Sequence, residues 1–308
     1  MFEDLLSRHG LSLDRLHGFL CVAEAGNISR AAAGDPVKQS QLSRQIRDLE
    51  AFFGVELTHR RGKSIAISAE GTRLATLIRQ HLRALDDFRL EQSGQLRMYS
   101  FGTTSSLMEW LVCPRMPELL KQFPNARLHL ETWRSAELVN RVRDGRLDFA
   151  LVRENAVPED QLRLKLARAR YLLAVPVALA RQVKLPERPR LADTARLPLA
   201  LQVAGGTFHH MVTEALLESG VAWEPAVACQ SFLQVRAVVE SGCCAGILPE
   251  FFTTRLDPRR FLLLPMAFLQ PHVRTLVLHW SERQMQRRGI EESRIRELAA
   301  VLKSGMGV

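Results

Sequence analysis

The chain follows one hydrophobic rule up to Gly94 and another beyond it, and this change limits the folds open to it. Before Gly94, apolar residues recur every three or four positions, the period of amphipathic helices. After it, strand-like runs such as LRMYSF, ARLHLETW and LDFALV are separated by helical stretches near residues 107–123 and 136–144. That β-α-β-α-β order builds a sheet covered by helices. A helical head joined to an α/β body is therefore expected, and 308 residues suffice for more than one domain.

In the head, LDRLHGFLCVAEAG places Leu13, Leu16, Phe19, Leu20 and Ala23 on one stripe and stops at Gly26. Asn27 suits the cap of a short second helix carrying Ile28, Ala31 and Ala32, which Gly34 ends. The next segment, QSQLSRQIRDLEAFFG, spaces Leu42, Ile46, Leu49 and Phe53 by four, three and four before Gly54. Asp35 and Pro36 fit its N-cap and first helical position, so this third helix starts ahead of Lys38. VELTHRRGKSIAIS then reads as a β-hairpin with a basic tip at Arg61-Gly62-Lys63. Residues 69–92 contain no proline and repeat Leu74, Leu77/Ile78, His81, Leu85 and Phe88 at threes and fours. Such a seam packs against its own copy or, alternatively, against the body of the chain.

A second set of strands follows in the body: RYLLAVP, PLALQV, AVACQ and AGILP, with helices near residues 207–219 and 232–241. FLLLP and VRTLVLHW precede a closing helix near residues 290–302. Two α/β lobes result, with the chain crossing between them and its tail returning to the first. The cleft between lobes is the default ligand site.

Composition narrows the function classes. No run approaches the roughly 18–20 apolar residues of a membrane span, and the start MFEDLLSRHGLSLDR lacks the pattern of a signal peptide. A cytoplasmic protein without a membrane partner is expected. The five cysteines (Cys21, Cys113, Cys229, Cys243, Cys244) are odd in number, with no C-x-x-C spacing. They read as reduced core thiols, with no metal and no cofactor expected. The net charge of +9 divides into +1 over residues 1–95 and +8 beyond, so bulk charge does not locate a nucleic-acid site. Residues 30–63 nonetheless hold seven bases against four acids, enough for a modest basic face.

FLCVAEAGNISRAAA, KQSQLSRQIRDLEAFFGVEL and RRGKSIAISAEG in the head, with FPNARLHLETW, LVNRVRDGRLDFALVRE and VVESGCCAGILP in the body, give the chain its family likeness. Over nearly its whole length it resembles the LysR-type transcriptional regulators. The resemblance implies a winged helix-turn-helix DNA-binding domain over 1–68, a linker and dimerisation helix over 69–93 and an effector-binding domain over 94–308. That last domain would be an α/β, two-lobed, periplasmic-binding-protein-like body, with lobe 1 at about 94–168 and 265–308 and lobe 2 at about 169–264. It further implies a sequence-specific regulator of double-stranded DNA, controlled by a small-molecule effector and assembled with itself as a homodimer or homotetramer. The chain departs from the family at Asp35-Pro36-Val37-Lys38-Gln39-Ser40, where a leucine, a polar residue, a small hydrophobe, Ser/Thr, Gln and Pro are usual. Thr58-His59-Arg60 replaces Phe-Glu-Arg, and Cys244 replaces a glycine.

Base reading in the major groove needs side chains that donate and accept on the first turns of a helix. Gln39, Gln41 and Arg44 suit base edges, because Gln pairs with adenine and Arg with guanine by two bonds. Ser29, Arg30, Lys38, Ser40 and Ser43, with Arg60, Arg61 and Lys63 on the wing, suit phosphate or minor-groove contacts. The same side chains would equally serve an ordinary solvated face.

In the body, SFGTTSSLMEW brings the hydroxyls of Thr103, Thr104, Ser105 and Ser106 to a strand end that enters a helix, where a small carboxylate would be favoured. Helix capping is the alternative use of one of them. Trp133, Arg134, Arg153, Gln202 and Phe232 complete the expected effector site. Arg153 is positioned to clamp a carboxylate by two parallel bonds or, alternatively, to pair with Glu154 or Glu159. No G-x-S-x-G, phosphate-cradling glycine loop or His/Asp/Ser set is present, so no catalytic residue is assigned and no enzyme is expected. A solute-receptor type of binding module, with the head serving only assembly, is the competing reading.

Overall fold

The computed structural model describes residues 2–7, 9–61, 64–187, 189–194, 196–203, 207–218, 224–266 and 273–306. The chain divides into two compact units. The first comprises Met1–Arg97 with the short pieces Asp144–Arg146 and Gln286–Gly289, and the second comprises the remainder.

The first unit contains α1 (Glu3–Ser7), α2 (Leu13–Ala25), α3 (Ile28–Ala31), α4 (Pro36–Phe53), the hairpin β1 (Thr58–Arg61) and β2 (Ser64–Ile67), and α5 (Ala69–Gln92). Side-chain caps fix the helix starts. Ser12 accepts from the Arg15 amide at 3.2 Å, Asn27 from Arg30 at 2.8 Å and Asp35 from Val37 at 2.8 Å. Pro36 occupies the first position of α4, where its missing N–H costs nothing. Gly26, at φ 77°, ends α2 in the left-handed conformation that glycine adopts without strain.

Phe19, Val22, Leu42, Ile46, Leu49 and Leu57 form the core of this unit together with Ala75 and Ile78 of α5. Two positions differ from the sequence expectation. Leu13 is 60% exposed, and α4 buries Phe52 while leaving Phe53 37% exposed. The 3.6-residue period carries the buried stripe from Leu49 to position 52 as readily as to 53. Phe52 lies close to Gly10, where a side chain on residue 10 would meet it at 3.4 Å.

Among the described residues the second unit holds two five-stranded sheets. Its chain order begins with β3 (Arg97–Thr103), α6 (Ser105–Leu107), a π turn (Met108–Val112), a 3-10 turn (Cys113–Arg115), α7 (Met116–Gln122), β4 (Ala126–Thr132), α8 (Ser135–Arg143) and β5 (Phe149–Arg153). After β6 (Arg163–Ala169) the chain passes to the other sheet through β7 (Tyr171–Pro176), α9 (Val177–Gln182), α10 (Leu191–Thr194), β8 (Leu199–Gln202), α11 (Thr207–Glu218), β9 (Val227–Cys229), α12 (Phe232–Glu240), β10 (Ala245–Pro249), α13 (Glu250–Thr253) and β11 (Phe261–Pro265). It returns to the first sheet with β12 (Arg274–Trp280) and closes with α14 (Glu282–Arg287) and α15 (Glu292–Ser304). The strands are ordered β4-β3-β5-β12-β6 in the first sheet and β11-β7-β10-β8-β9 in the second.

The single helix expected over 107–123 is broken. Pro114 and Pro117 each remove an amide and crowd the carbonyl four residues back, and the backbone answers with the π and 3-10 turns ahead of α7. One apolar cluster runs from Phe149, Leu151 and Leu278 in one sheet to Leu248 in the other, with Val235 of α12 and Phe252 of α13, so the two sheets share a core.

Candidate functional site

The first unit presents an exposed polar face on the leading turns of α4. Leu42, Ile46 and Leu49 point inward, and this fixes the opposite side of the helix. Lys38, Ser40, Gln41 and Arg44 are exposed there, while Gln39 and Ser43 are half-buried. The side chains of Lys38, Gln39, Ser40, Gln41 and Arg44 make no hydrogen bond or ion pair with the described residues. Ser29 and Arg30 of α3 are exposed as well. Lys38 sits near the positive end of the α4 dipole, where the Asp35 carboxylate accepts from its amide at 3.4 Å.

The hairpin pairs Arg61 with Ser64. Lys63 lies outside the described residues, as do the side chains of Arg60 and Arg61. Glu50 of α4 anchors the hairpin. Its Oε1 accepts from the Leu57 amide at 2.9 Å, the Thr58 amide at 3.0 Å and the Thr58 hydroxyl at 3.1 Å. The Thr58 that departs from the family pattern thus gains a bond of its own. Glu50→Ala would strand these donors, and a loss of about 1–3 kcal/mol from the stability of the head is expected in urea unfolding. An unchanged midpoint would show that water replaces the carboxylate at no cost.

On α5, Leu77, Leu85 and Phe88 are 47%, 57% and 62% exposed, and His81 is exposed between them. Leu74 and Ile78 of the expected seam, with Leu82, belong instead to the head's own core.

In the second unit, the parallel strands β3 and β5 carry Thr103, Thr104 and Arg153 to one end of their sheet. The Trp133 amide donates to the Thr103 carbonyl at 3.1 Å, which brings Trp133 to the same end. Thr103 itself leaves the expected effector set. It is fully buried, and its hydroxyl donates to the Leu151 carbonyl at 2.7 Å. Ser106 is buried, Thr104 is half-buried and Ser105 is exposed. The alternative of capping fails for Thr104, which makes no side-chain bond at the start of α6.

Trp133 is 47% exposed, donates to Glu131 at 2.9 Å and lies beneath the Arg141 guanidinium at 4.6 Å. Arg134 is exposed. Arg153 is half-buried and makes no hydrogen bond or ion pair with the described residues. Glu154, one of its alternative partners, is engaged instead by Lys165 at 3.0 Å and Arg163 at 3.8 Å. In the other sheet, Gln202 ends β8 and donates to the Gln230 carbonyl at 3.4 Å. Phe232, at the start of α12, packs edge-on against Phe208, with ring centres 4.8 Å apart.

Sequence reading missed Tyr171 and Arg274. Tyr171 touches Phe208 and Phe232, at 4.9 and 6.2 Å between ring centres, and interacts electrostatically with Arg153 and Arg274. Its position at the crossing from β6 to β7 was the only signal available. Of the adjacent thiols, Cys243 is exposed and its pKa is lowered by a hydrogen bond with Ser241, whereas burial pushes Cys244 up to about 11. Among the described residues no helix is long and apolar enough to cross a membrane.

Comparison with known proteins gives these surfaces a context. The family model for the LysR substrate binding domain matches residues 91–306, and that for the bacterial regulatory helix-turn-helix protein of the lysR family matches residues 13–72. The regulator DgdR of Burkholderia cepacia is 26% identical over 246 residues, covering 78% of each chain. The regulator YnfL of Escherichia coli is 32% identical over 157 residues, covering 48% of this chain and 52% of its own. Among solved structures, a full-length OxyR variant from Pseudomonas aeruginosa superposes with a TM-score of 0.63 at 19% identity, covering 96% of both chains. A probable transcriptional regulator from the same organism gives 0.56 at 23% identity, covering 96% of this chain and 97% of its own. With both domain models matched in order along nearly its whole length, the chain belongs to the LysR family of DNA-binding transcriptional regulators and carries that family's effector-binding domain.

Proposed function

We propose that the head reads operator DNA through the leading turns of α4 and that a small carboxylate in the cleft of the second unit controls it. The observation that carries the DNA reading is the row of uncommitted donors and acceptors from Lys38 to Arg44, which contains no acid. Gln39, Gln41 and Arg44 supply two-pronged contacts to base edges. Ser29, Arg30, Lys38, Ser40 and Ser43 hold the backbone, as do Arg60, Arg61 and Lys63 on the wing. Two copies join through the exposed seam of α5 and present two heads to two half-sites.

On the effector side, Arg153 receives the carboxylate, with Thr104, Ser105, Ser106, Trp133, Arg134, Gln202 and Phe232 around it. Control requires the ligand to favour one arrangement of the assembly over another. Selection of bound sequences from a random DNA pool by the full-length protein tests the reading. A recurrent two-fold-related site, bound with a steep dependence on salt, is the expected outcome. Failure to enrich any sequence would overturn it and favour a binding module whose head serves only assembly.

A further inference from the structure

The charge around Arg153 is unbalanced, and the strand register shows how. β12 runs antiparallel to β5 with Leu276 opposite Arg153, and antiparallel to β6 with Arg274 opposite Ala169. Directly opposed residues share a face of the sheet, as do residues two apart on a strand. Arg153 and Arg274 therefore stand diagonally on one face, at the end where Ala169 leads within two residues to Tyr171. The Tyr171 side chain is buried against Phe208 and Phe232, and both guanidinium groups act on its phenol.

Among the described residues no acid pairs with these charges. Arg153, Arg274 and the Tyr171 hydroxyl make no hydrogen bond or ion pair with the described residues. Glu154 is turned to Lys165 and Arg163. The stretch 267–272 shortly before Arg274 reads AFLQPH and holds no acid. Burial lowers the Arg153 pKa first of all, the phenol opposes this, and Arg274 lowers it further. Burial pushes the Tyr171 phenol up, so it remains a neutral donor at neutral pH. A single carboxylate would leave one of the two guanidinium charges uncompensated and partly desolvated, whereas two negative charges satisfy both.

Resting on the reading of this cleft as the effector site, we propose that the effector is a small dianion held between Arg153 and Arg274. Anionic oxygens of the ligand bond to both guanidinium groups, the Tyr171 hydroxyl donates to the ligand, and Phe208 with Phe232 bounds its apolar side. A dicarboxylate and a phosphate ester share this chemistry.

Calorimetric titration of the full-length protein at pH 8 with matched pairs tests the assignment: benzoate against phthalate, butyrate against succinate, and methyl phenyl phosphate against phenyl phosphate, with inorganic phosphate alone as a further probe. In at least one pair the dianion is expected to bind 10-fold or more tightly, on the order of one charge-assisted bond. Arg274→Gln is expected to weaken that dianion by about 10- to 100-fold and its one-charge partner by less than about 3-fold. Arg274→Lys should restore part of the loss, and an unshifted melting temperature for each variant excludes misfolding as the cause.

Preference for phthalate or succinate identifies a dicarboxylate site, and preference for phenyl phosphate or inorganic phosphate identifies a phosphate site. The proposal is overturned if the paired ligands bind alike, if no dianion binds, or if Arg274→Gln weakens both members equally. Should one-charge acids bind best and depend on Arg153, the cleft remains the effector site and only the dianion falls. Should Arg153→Gln leave all measured binding unchanged, the cleft reading itself fails.

Discussion

Arg44→Ala protein is expected to bind its selected DNA site about 1–3 kcal/mol more weakly, roughly 5- to 150-fold, with relaxed preference at one base position. Arg44 is exposed and uncommitted on the face of α4 opposite Leu42, Ile46 and Leu49. Its removal should therefore leave the head folded while deleting a two-pronged contact to guanine. Lys38→Ala provides the contrast. It removes a charge placed to meet a phosphate, so binding should weaken by a similar factor on all sequences and the salt slope should flatten by about 1. Competition binding on selected and random duplexes over a range of salt separates the two behaviours. Equal losses on both kinds of DNA for Arg44→Ala would remove it from the base-reading set.

The same physical contrast explains which features were legible in the sequence. Local signals carried through to the structure: Asp35 and Pro36 start α4, Gly26 ends α2, and the residues 69–92 expected to be helical are those of α5. Caps and helix periods act within a few residues, so the sequence window contains their cause. The strand β6 was not foreseen, because RLKLARA carries three bases and gains its strand partner only from β12, more than a hundred residues later. For Thr103, composition favoured a ligand hydroxyl, but strand geometry turned it onto the Leu151 carbonyl. Arg274 likewise comes to share a face with Arg153 only through the register of antiparallel strands, and Tyr171 acts on both from the start of β7 in the other sheet. A sequence signals which residue types are present at a strand end; pairing decides which of them share a face.

Pairing also underlies the largest effect expected in this protein, that of Leu85→Glu combined with Phe88→Glu on self-association. Both side chains are more than half exposed, at 57% and 62%, and with Leu77 and His81 they continue one stripe along α5. Leu74, Ile78 and Leu82, on the adjoining side of the helix, are already used in the head's core, so of the expected seam the exposed residues are the ones available to a second copy. Burying a Leu or Phe side chain contributes about 1.5–3 kcal/mol. In a two-fold interface each substitution counts twice. The pair of changes should therefore raise the dissociation constant by several powers of ten, and the glutamates add mutual repulsion. Sedimentation velocity is expected to show a monomer with an unchanged circular dichroism spectrum, and the affinity for a two-half-site operator should fall to that for a single half-site. If the doubly substituted protein still sediments as an oligomer, the seam is not what joins the copies. The reading of two α4 helices spaced for two half-sites would then need another interface to hold them.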